Sequence, residues 1–266
     1  MKDARRLIRI ILILTIFMGA LSLGLMILSD QREKNNKSIV IDVDTMKLVQ
    51  LEAPKEGDQI AIVDTTLGEI RFVLYPEYSP KAVENFVKLA ESGYYDNTYV
   101  FDAQDGAYAG YGAKEKNGSA GDDTDERIPR ELHQDLWPFR GAVCMVNTEY
   151  SRTFKQKILG GGTYYCGSRF DILNSIAFTE EISDELRDNS VSTELAEAFI
   201  TKGGIPNFSQ QLTIIGQTYE GFDVVDTIAS LEYEEGGKYN TPKDDVMIRS
   251  IKIDKYSSDK ENKNKK

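Results

Sequence analysis

Few side chains of the types that usually do chemistry occur in this chain of 266 residues. It holds one histidine, His133, and two cysteines, Cys144 and Cys166. Protein zinc sites commonly combine several cysteine and histidine ligands, so this inventory argues against such a site, and we expect no metal and no other cofactor. The sequence leaves open whether the two cysteines form a disulfide or remain free thiols.

An acidic run at residues 121–126, GDDTDE, could offer oxygen ligands to Ca²⁺. It lacks the ligand spacing of a known calcium loop, so we favour a solvated acidic loop. His133 and Trp137 precede a predicted strand and are interpreted as packing or surface residues, not catalysts.

The stretch at residues 97–113, NTYVFDAQDGAYAGYGA, is the most unusual part of the sequence. It starts like a buried strand, but its glycines at 106, 110 and 112 are too irregular for a helix and too dense for a strand. Two interpretations are open. The stretch is either a loop built around a ligand or an active site that has lost its chemistry.

The elements around these residues predict a closed β-barrel capped by helices. Apolar runs bounded by turn signals predict strands, and apolar faces with caps predict helices. Ser79 is expected to cap a helix whose first residue is Pro80. The predicted strands are 60–63, 69–74, 142–146, 213–217 and 246–253, and the predicted helices begin at Pro80, Thr193 and Phe222.

Charge and length exclude some classes of function. The net charge is −11, and nucleic-acid binding needs a basic face, so we expect no nucleic-acid partner.

The charged tail is poor in apolar residues and cannot bury a core. We therefore predict a linker or extended lead-in at 31–58, a folded domain at 59–254 and a disordered tail at 255–266. Within the lead-in, Ile39–Ala53 alternates weakly and is either a short strand or an extended segment.

The N-terminus predicts a membrane anchor. An uncharged apolar run of 19 residues, Ile10–Leu28, follows Lys2, Arg5, Arg6 and Arg9. Such a helix spans a hydrocarbon core of ~30 Å, whereas the apolar region of a signal peptide is shorter. By the positive-inside rule, residues 1–30 form a cytoplasmic stub and a single-pass anchor, and the folded domain lies outside the membrane. Whether the anchor is cleaved stays open.

Six segments in order carry a resemblance to a known family. TTLGEIRFVLYPEYSPKAVENFVKLAESGYYDNTYVF resembles the opening of the cyclophilins, the barrel-shaped peptidyl-prolyl isomerases. IPRE, RGAVCMVN, GSRFDI, IIGQTYEGFDVVDTI and DDVMIRSIKI follow in family order, and GGIPNF looks like the exported bacterial members. The resemblance covers Ile60–Ile253 and implies a cyclophilin-like closed antiparallel barrel.

The resemblance also implies an activity and a mechanism. Members of this family seat a proline ring in an apolar pocket and point an arginine at the proline nitrogen. The barrier to rotation about the amide is ~18–20 kcal/mol. A donor that favours the pyramidal nitrogen of the transition state over the planar ground state lowers that barrier by differential binding.

This chain departs from the family at the residues that matter most. Ala103 stands at the position of the family's arginine, and Ala107 and Gly110 stand where the family has an aromatic and a glutamine. Arg169 replaces a glutamine, and Asp171 replaces the phenylalanine that floors the proline pocket. The departures favour the second interpretation of residues 97–113. Arg169 is then the stand-in for the catalytic donor.

Strand alternation places Arg169 and Asp171 on one face, with Phe170 and Ile172 in the core. We therefore expect Arg169 and Asp171 to pair inside the groove. The other groove residues follow from the family pattern. The full predicted substrate groove is Ala103, Ala107, Tyr108, Gly110, Met145, Val146, Asp171, Asn207, Phe208, Leu212 and Ile215.

Three functions fit this sequence. The first is a membrane-anchored isomerase acting on X-Pro bonds of exported proteins, with weak or lost activity. The second is a catalytically silent peptide-binding or chaperone module, and the third a structural part of an envelope assembly. The expected partners are a proline-containing peptide or unfolded exported protein, and the membrane itself. Residues 148–165 are an insertion that forms either a flap or a docking surface.

Overall fold

A computed structural model describes residues 14–15, 17–29, 39–119, 127–150, 153–159, 161–234 and 236–258. These residues fall into two compact units. One joins the described part of 14–29 with that of 149–163, and the other comprises Ile39–Thr148 and the chain from Tyr164 onward. The acidic run at 121–126, the linker at 31–38 and the tail from 259 lie outside the described residues.

Eight strands form a closed antiparallel barrel, as the sequence predicts. Their order is β4-β3-β11-β1-β2-β8-β6-β7, and β7 pairs back with β4. The strands are β1 (Gln59–Thr65), β2 (Gly68–Leu74), β3 (Thr98–Ala103), β4 (Tyr108–Ala113), β6 (Ala142–Tyr150), β7 (Thr163–Leu173), β8 (Thr213–Glu220) and β11 (Met247–Lys255). Outside the barrel, β5 (Ile128–Pro129) pairs with the first half of β7, and β9 (Tyr233–Glu234) pairs with β10 (Thr241–Pro242).

Helical backbone occurs at residues 14–15 and 17–29, labelled α1. The remaining helices are α2 (Pro80–Glu91), α3 (Phe154–Leu159), α4 (Glu180–Asn189), α5 (Thr193–Lys202) and α6 (Phe222–Ala229). The sequence predicts α2, α5 and α6, and α5 stops before Gly203 as expected. It does not predict α4, because only one side chain of α4, that of Ser183, is buried and its apolar face is correspondingly weak.

Helix α2 packs against the barrel through one apolar face. Phe86 on this face packs against Phe72 and Phe170, with ring centroids 5.7 and 5.5 Å away. Ser79 stands at the N-cap as predicted, but its hydroxyl does not cap the helix and donates to the carbonyl oxygen of Ile214 at 2.8 Å. The Glu131 carboxylate takes over the capping, since it accepts from the backbone N–H groups of residues 81 and 82.

The lead-in at Ile39–Leu51 is packed onto the domain and contains no strand, so the described part of the weakly alternating stretch is not a β-strand. Ile41, Met46 and Leu48 contact a cluster that holds Trp137. Gln50 fixes the end of the segment, because its Oε1 accepts from the backbone N–H of Trp137 at 2.6 Å and its Nε2 donates to Oε1 of Gln217 at 2.9 Å.

The predicted membrane span begins outside the described residues. In the part of the chain that the structure describes, no helix has both the length and the apolar character needed to cross a membrane. The described turns of α1 expose their large apolar side chains, among them Phe17, Met26 and Ile27.

Gln50→Ala should destabilise the domain by about 2 kcal/mol, because it strands a buried N–H and a buried amide oxygen. The measurement is urea denaturation followed by the fluorescence of Trp137, which is the only tryptophan. Val40→Ala is the matched control, since Val40 lies in the same segment and is 92% exposed; it should change the free energy of unfolding by less than about 0.5 kcal/mol. Equal stability of the two variants would mean that the lead-in does not support the fold.

Candidate functional site

The floor of the candidate groove is the ladder between β4 and β7. Gly110 lies opposite Asp171, and Tyr111 lies opposite Phe170. Phe170, Ile172 and Tyr111 belong to the barrel interior. Because side chains alternate along a strand, Asp171 and Arg169 face outward. The predicted alternation of β7 is confirmed.

Arg169 does not pair with Asp171, so that prediction is wrong. Its Nη1 donates to the carbonyl oxygen of Gly118 at 2.9 Å, and its guanidinium lies over the ring of Phe101 at 4.9 Å. Among the described residues, no ion pair joins Arg169 to Asp171. An aromatic face and a carbonyl together satisfy a guanidinium well, and they leave the carboxylate without this cation.

A β-bulge in β3 explains why Phe101 is available for this contact. Val100 pairs with Tyr111 and Asp102 pairs with Gly110, so Phe101 is the extra residue on its strand. Its ring also makes an edge contact with Tyr239, at 4.8 Å between centroids. The ring of Phe101 thereby occupies the outer face where a salt bridge was expected.

Asp171 is partly buried, and its carboxyl group has no hydrogen-bond partner in the described part of the chain. Gly110 leaves room for it, because a Cβ there would lie 3.1 Å from Oδ1 of Asp171 and 2.9 Å from the ring of Phe101. Burial, and next the charge of Asp102, raise the pKa of Asp171 to about 8. The carboxyl group is therefore mostly protonated at neutral pH.

The position that corresponds to the family's arginine is closed. Ala103 is fully buried, and its N–H donates to the carbonyl oxygen of Asn240 at 2.9 Å. The neighbouring carboxylate of Asp102 accepts from the N–H of Asn240 and from Nε2 of Gln104. Burial raises the pKa of Asp102, and these hydrogen bonds oppose the shift.

An apolar wall stands beside the floor. Tyr108 and Phe208 make an edge contact with centroids 5.8 Å apart. Together with Ala107 and Leu212 they pack against a buried cluster that includes Cys144 and Leu173. The structure thus brings four predicted groove residues into one cluster. Burial raises the pKa of Tyr108 to about 12, so its hydroxyl group stays protonated.

Two predicted wall residues are not in the groove. Met145 and Ile215 are fully buried in the barrel interior, because alternation along β6 and β8 turns them inward. Val146, the next residue of β6, is partly exposed, and Asn207 is exposed. The correction leaves Val146, but not Met145, as a candidate groove residue on β6.

Asn147 is a polar residue near the groove that the sequence reasoning overlooked. Its Nδ2 donates to the carbonyl oxygen of Gln211 at 3.0 Å, while its Oδ1 is buried and has no hydrogen-bond partner in the part of the chain that the structure describes. Buried amide oxygens are usually hydrogen-bonded. Asn147 directly follows the predicted groove residue Val146 in the RGAVCMVN segment, and this position could have identified it from the sequence.

The cysteines are both free and buried. Cys144 lies in the cluster under the apolar wall, whereas Cys166 lies in the barrel interior. The two side chains are thus on opposite faces of the sheet. Burial, with a smaller contribution from Asp171, raises the pKa of Cys144 well above its ordinary value, so it remains a neutral thiol.

The remaining candidates lie elsewhere. His133 stacks edge-on against Tyr78 at 4.7 Å. Trp137 is buried beside Phe139. No group of three or more potential metal-ligating side chains is found in the described ranges. A surface cavity of about 370 Å³ lies along α2 and contains no residue of the predicted groove.

Asp171→Asn should flatten the pH dependence of stability. The folded-state pKa lies above the ordinary carboxyl value of about 4. The protonated group therefore contributes stability below pH 4 that is lost as the pH rises through about 8. We expect the Asn variant to exceed the wild type by about 5 kcal/mol at pH 9, since the shift is about four pKa units at about 1.4 kcal/mol each, and to match it near pH 4.

Urea denaturation across this pH range measures the effect. Asp188→Asn is the matched control, because Asp188 is exposed on α4; it should keep the wild-type slope. A variant less stable than the wild type at pH 9 would show that the Asp171 carboxylate has a stabilising partner.

The sequence is similar to known proteins. Residues 60–157 match the family model described as cyclophilin type peptidyl-prolyl cis-trans isomerase/CLD. A Staphylococcus epidermidis protein whose name assigns it to the peptidyl-prolyl cis-trans isomerases is 29% identical over 214 residues, which cover 77% of this chain and 97% of that protein. A Streptococcus pyogenes protein named for phosphatase and peptidyl-prolyl cis-trans isomerase activities is 27% identical over 78% of this chain and 41% of its own length.

Solved structures agree in fold. A cyclophilin type peptidyl-prolyl cis-trans isomerase of Cryptosporidium parvum superposes with a TM-score of 0.52 at 21% identity, covering 75% of this chain and 99% of that one. A second crystal structure of that protein, with a TM-score of 0.51 at 22% identity and covering 73% of this chain and 98% of that one, was obtained in the presence of the dipeptide Ala-Pro. The matched segment and these relatives make this chain similar to the cyclophilin-type peptidyl-prolyl cis-trans isomerases over most of its length, and its closed barrel has their fold.

Proposed function

We propose that this chain binds X-Pro segments of exported proteins in its groove, while held to the outer side of a membrane, and accelerates their isomerisation weakly or not at all. The observation that carries the proposal is the burial of Ala103 at the position where the family has its catalytic arginine. Without a donor aimed at the proline nitrogen, the groove has no contact that strengthens in the transition state.

Arg169 is a poor substitute for that donor. Its guanidinium is engaged by the carbonyl oxygen of Gly118 and by the ring of Phe101. To reach a proline nitrogen it would have to leave these contacts, and a placement error of ~1 Å can cost a factor of 10² in rate.

Peptide binding does not require the catalytic donor. The wall formed by Tyr108, Phe208, Leu212 and Ala107 still offers apolar surface to a proline ring. Such binding stabilises ground state and transition state alike, and it therefore gives affinity without acceleration. The wall supports the interpretation of the chain as a peptide-binding or chaperone module.

The membrane tether rests on the sequence. The apolar run Ile10–Leu28 and the basic residues before it support a single-pass anchor with an external domain. The exposed apolar side chains of α1 are in keeping with a lipid environment.

The full chain in detergent should accelerate X-Pro isomerisation at least 10²-fold less than an intact cyclophilin, since one preorganised donor contributes about 10²–10³ in rate. A proline-isomerisation assay measures this, with the intact cyclophilin as the positive control. Ala103→Arg alone should recover little, because position 103 is buried and Asp171 stands at the family's phenylalanine position. Near-normal wild-type activity would refute the proposed loss, and weak activity abolished by Arg169→Ala would identify a relocated donor.

Protease added to intact cells should remove the folded domain, because the anchor orientation places it outside the membrane. Immunoblotting for the domain measures the loss, and a cytoplasmic protein that stays intact serves as the control. Protection in intact cells followed by cleavage after lysis would contradict the topology.

A further inference from the structure

A carboxyl group that has no hydrogen-bond partner among the described residues lies at the floor of the groove. Asp171 faces outward from β7, opposite Gly110. The nearest cation on its strand, Arg169, is turned to Gly118 and Phe101. Ionising a carboxyl group that is partly removed from water is costly, and a ligand that brings a cation offsets that cost.

We propose that the groove recognises a basic side chain, that of lysine or arginine, next to the bound segment, and that Asp171 is the residue that selects it. This inference rests on the proposed peptide-binding function and names the class of peptide. The groove thereby differs from one built only to seat an apolar ring.

The surroundings of Asp171 favour a cation over a neutral group. The second carboxyl group, Asp102, contributes negative charge but already accepts two hydrogen bonds, from Asn240 and Gln104. The rings of Tyr108 and Phe208 offer aromatic faces, which attract cations. The net charge of −11 also draws basic ligands toward the domain.

Several titratable or charged groups of the described strands lie near Asp171. Among these described groups only Arg169 is a cation at neutral pH, and its described contacts are with Gly118 and Phe101. The groups are Asp102 of β3, Tyr108 and Tyr111 of β4, Cys144 of β6 and Arg169 of β7.

Binding of a cation should expel a proton. The pKa of Asp171 is raised to about 8 in the free protein, so the carboxyl group is mostly protonated at pH 7. A neighbouring ammonium or guanidinium stabilises the ionised form and lowers that pKa. A neutral ligand of the same shape would leave the proton in place.

Calorimetric titration of the full chain in detergent with blocked tetrapeptides tests the inference. The probes are Ala-X-Pro-Ala and Ala-Pro-X-Ala, in which X is lysine or its uncharged analogue norleucine. At pH 7 at least one lysine peptide should bind about tenfold tighter than its norleucine partner, as a charge-assisted contact implies. Titrations in two buffers of different ionisation enthalpy should show release of most of one proton with lysine and none with norleucine.

Two variants assign the effect to Asp171. Asp171→Asn should remove both the lysine preference and the proton release, so that the lysine and norleucine peptides bind with equal affinity. Asp188→Asn should behave like the wild type, since Asp188 is exposed on α4. The fluorescence of Trp137 confirms that each variant is folded.

The outcomes separate this inference from the function on which it rests. Equal binding of lysine and norleucine peptides by the wild type would overturn the basic-residue selection and leave the peptide groove standing. A lysine preference that survives Asp171→Asn would overturn the role of Asp171. Binding of none of the four peptides would overturn the proposed function itself, together with this inference.

Discussion

The pairing of β4 with β7 is the constraint on which the rest of the structure depends. It closes the barrel, and inside the barrel it stacks Tyr111 on Phe170, with centroids 5.3 Å apart and planes within 7° of parallel. On the other side of the same ladder it sets Asp171 against Gly110. Core and groove floor are therefore two faces of one pair of strands. A side chain larger than hydrogen at position 110 would press on the ring of Phe101, so the floor can change only within narrow limits of volume.

The two faces carry different energetic roles. Interior side chains such as Phe86 and Phe170 are fully buried, and each contributes about 1.5–3 kcal/mol through burial. The outer face contributes less at Asp171 and Tyr108, because these side chains are partly exposed and the carboxyl group of Asp171 has no hydrogen-bond partner among the described residues. Substitutions that remove a family's chemistry from the outer face therefore leave the barrel intact. The lead-in also stabilises the barrel. Gln50 donates to Gln217, and Gln217 donates to the carbonyl oxygen of Arg140 at 2.7 Å.

The barrel could be predicted from the sequence because each strand alternates or lies between turn signals. Burial of the apolar side chains in the interior stabilises strands with that pattern. The sequence also placed Arg169 and Asp171 on the same face. Strand alternation also holds in β6 and β8, where Cys144 and Ile214 face outward and their neighbours Met145 and Ile215 face inward. The prediction for Met145 and Ile215 followed the family pattern and not this alternation. The bulge at Phe101 has no local sequence signal that distinguishes it from a regular strand, so the contact between Phe101 and Arg169, and with it the missing salt bridge, could not be foreseen. The packing of Gln50 depends on partners 87 and 167 residues away, which no local pattern reveals.

Under the proposed function, the groove of this chain reverses the electrostatics that the resemblance implies for the family. A catalytic arginine presents a fixed donor to a developing lone pair, and that contact has value only because it strengthens in the transition state. Here position 103 is an alanine, and the carboxyl group of Asp171 stands where the family has the phenylalanine of its proline pocket. The guanidinium of Arg169 donates to the carbonyl oxygen of Gly118. A site with an acid in place of a donor can still gain affinity from a basic ligand, because attraction to a cation does not depend on the pyramidal state of a nitrogen. Peptide recognition and rate acceleration, which the family combines in one groove, thus separate in physical terms. The proposed binding role needs only the first of them.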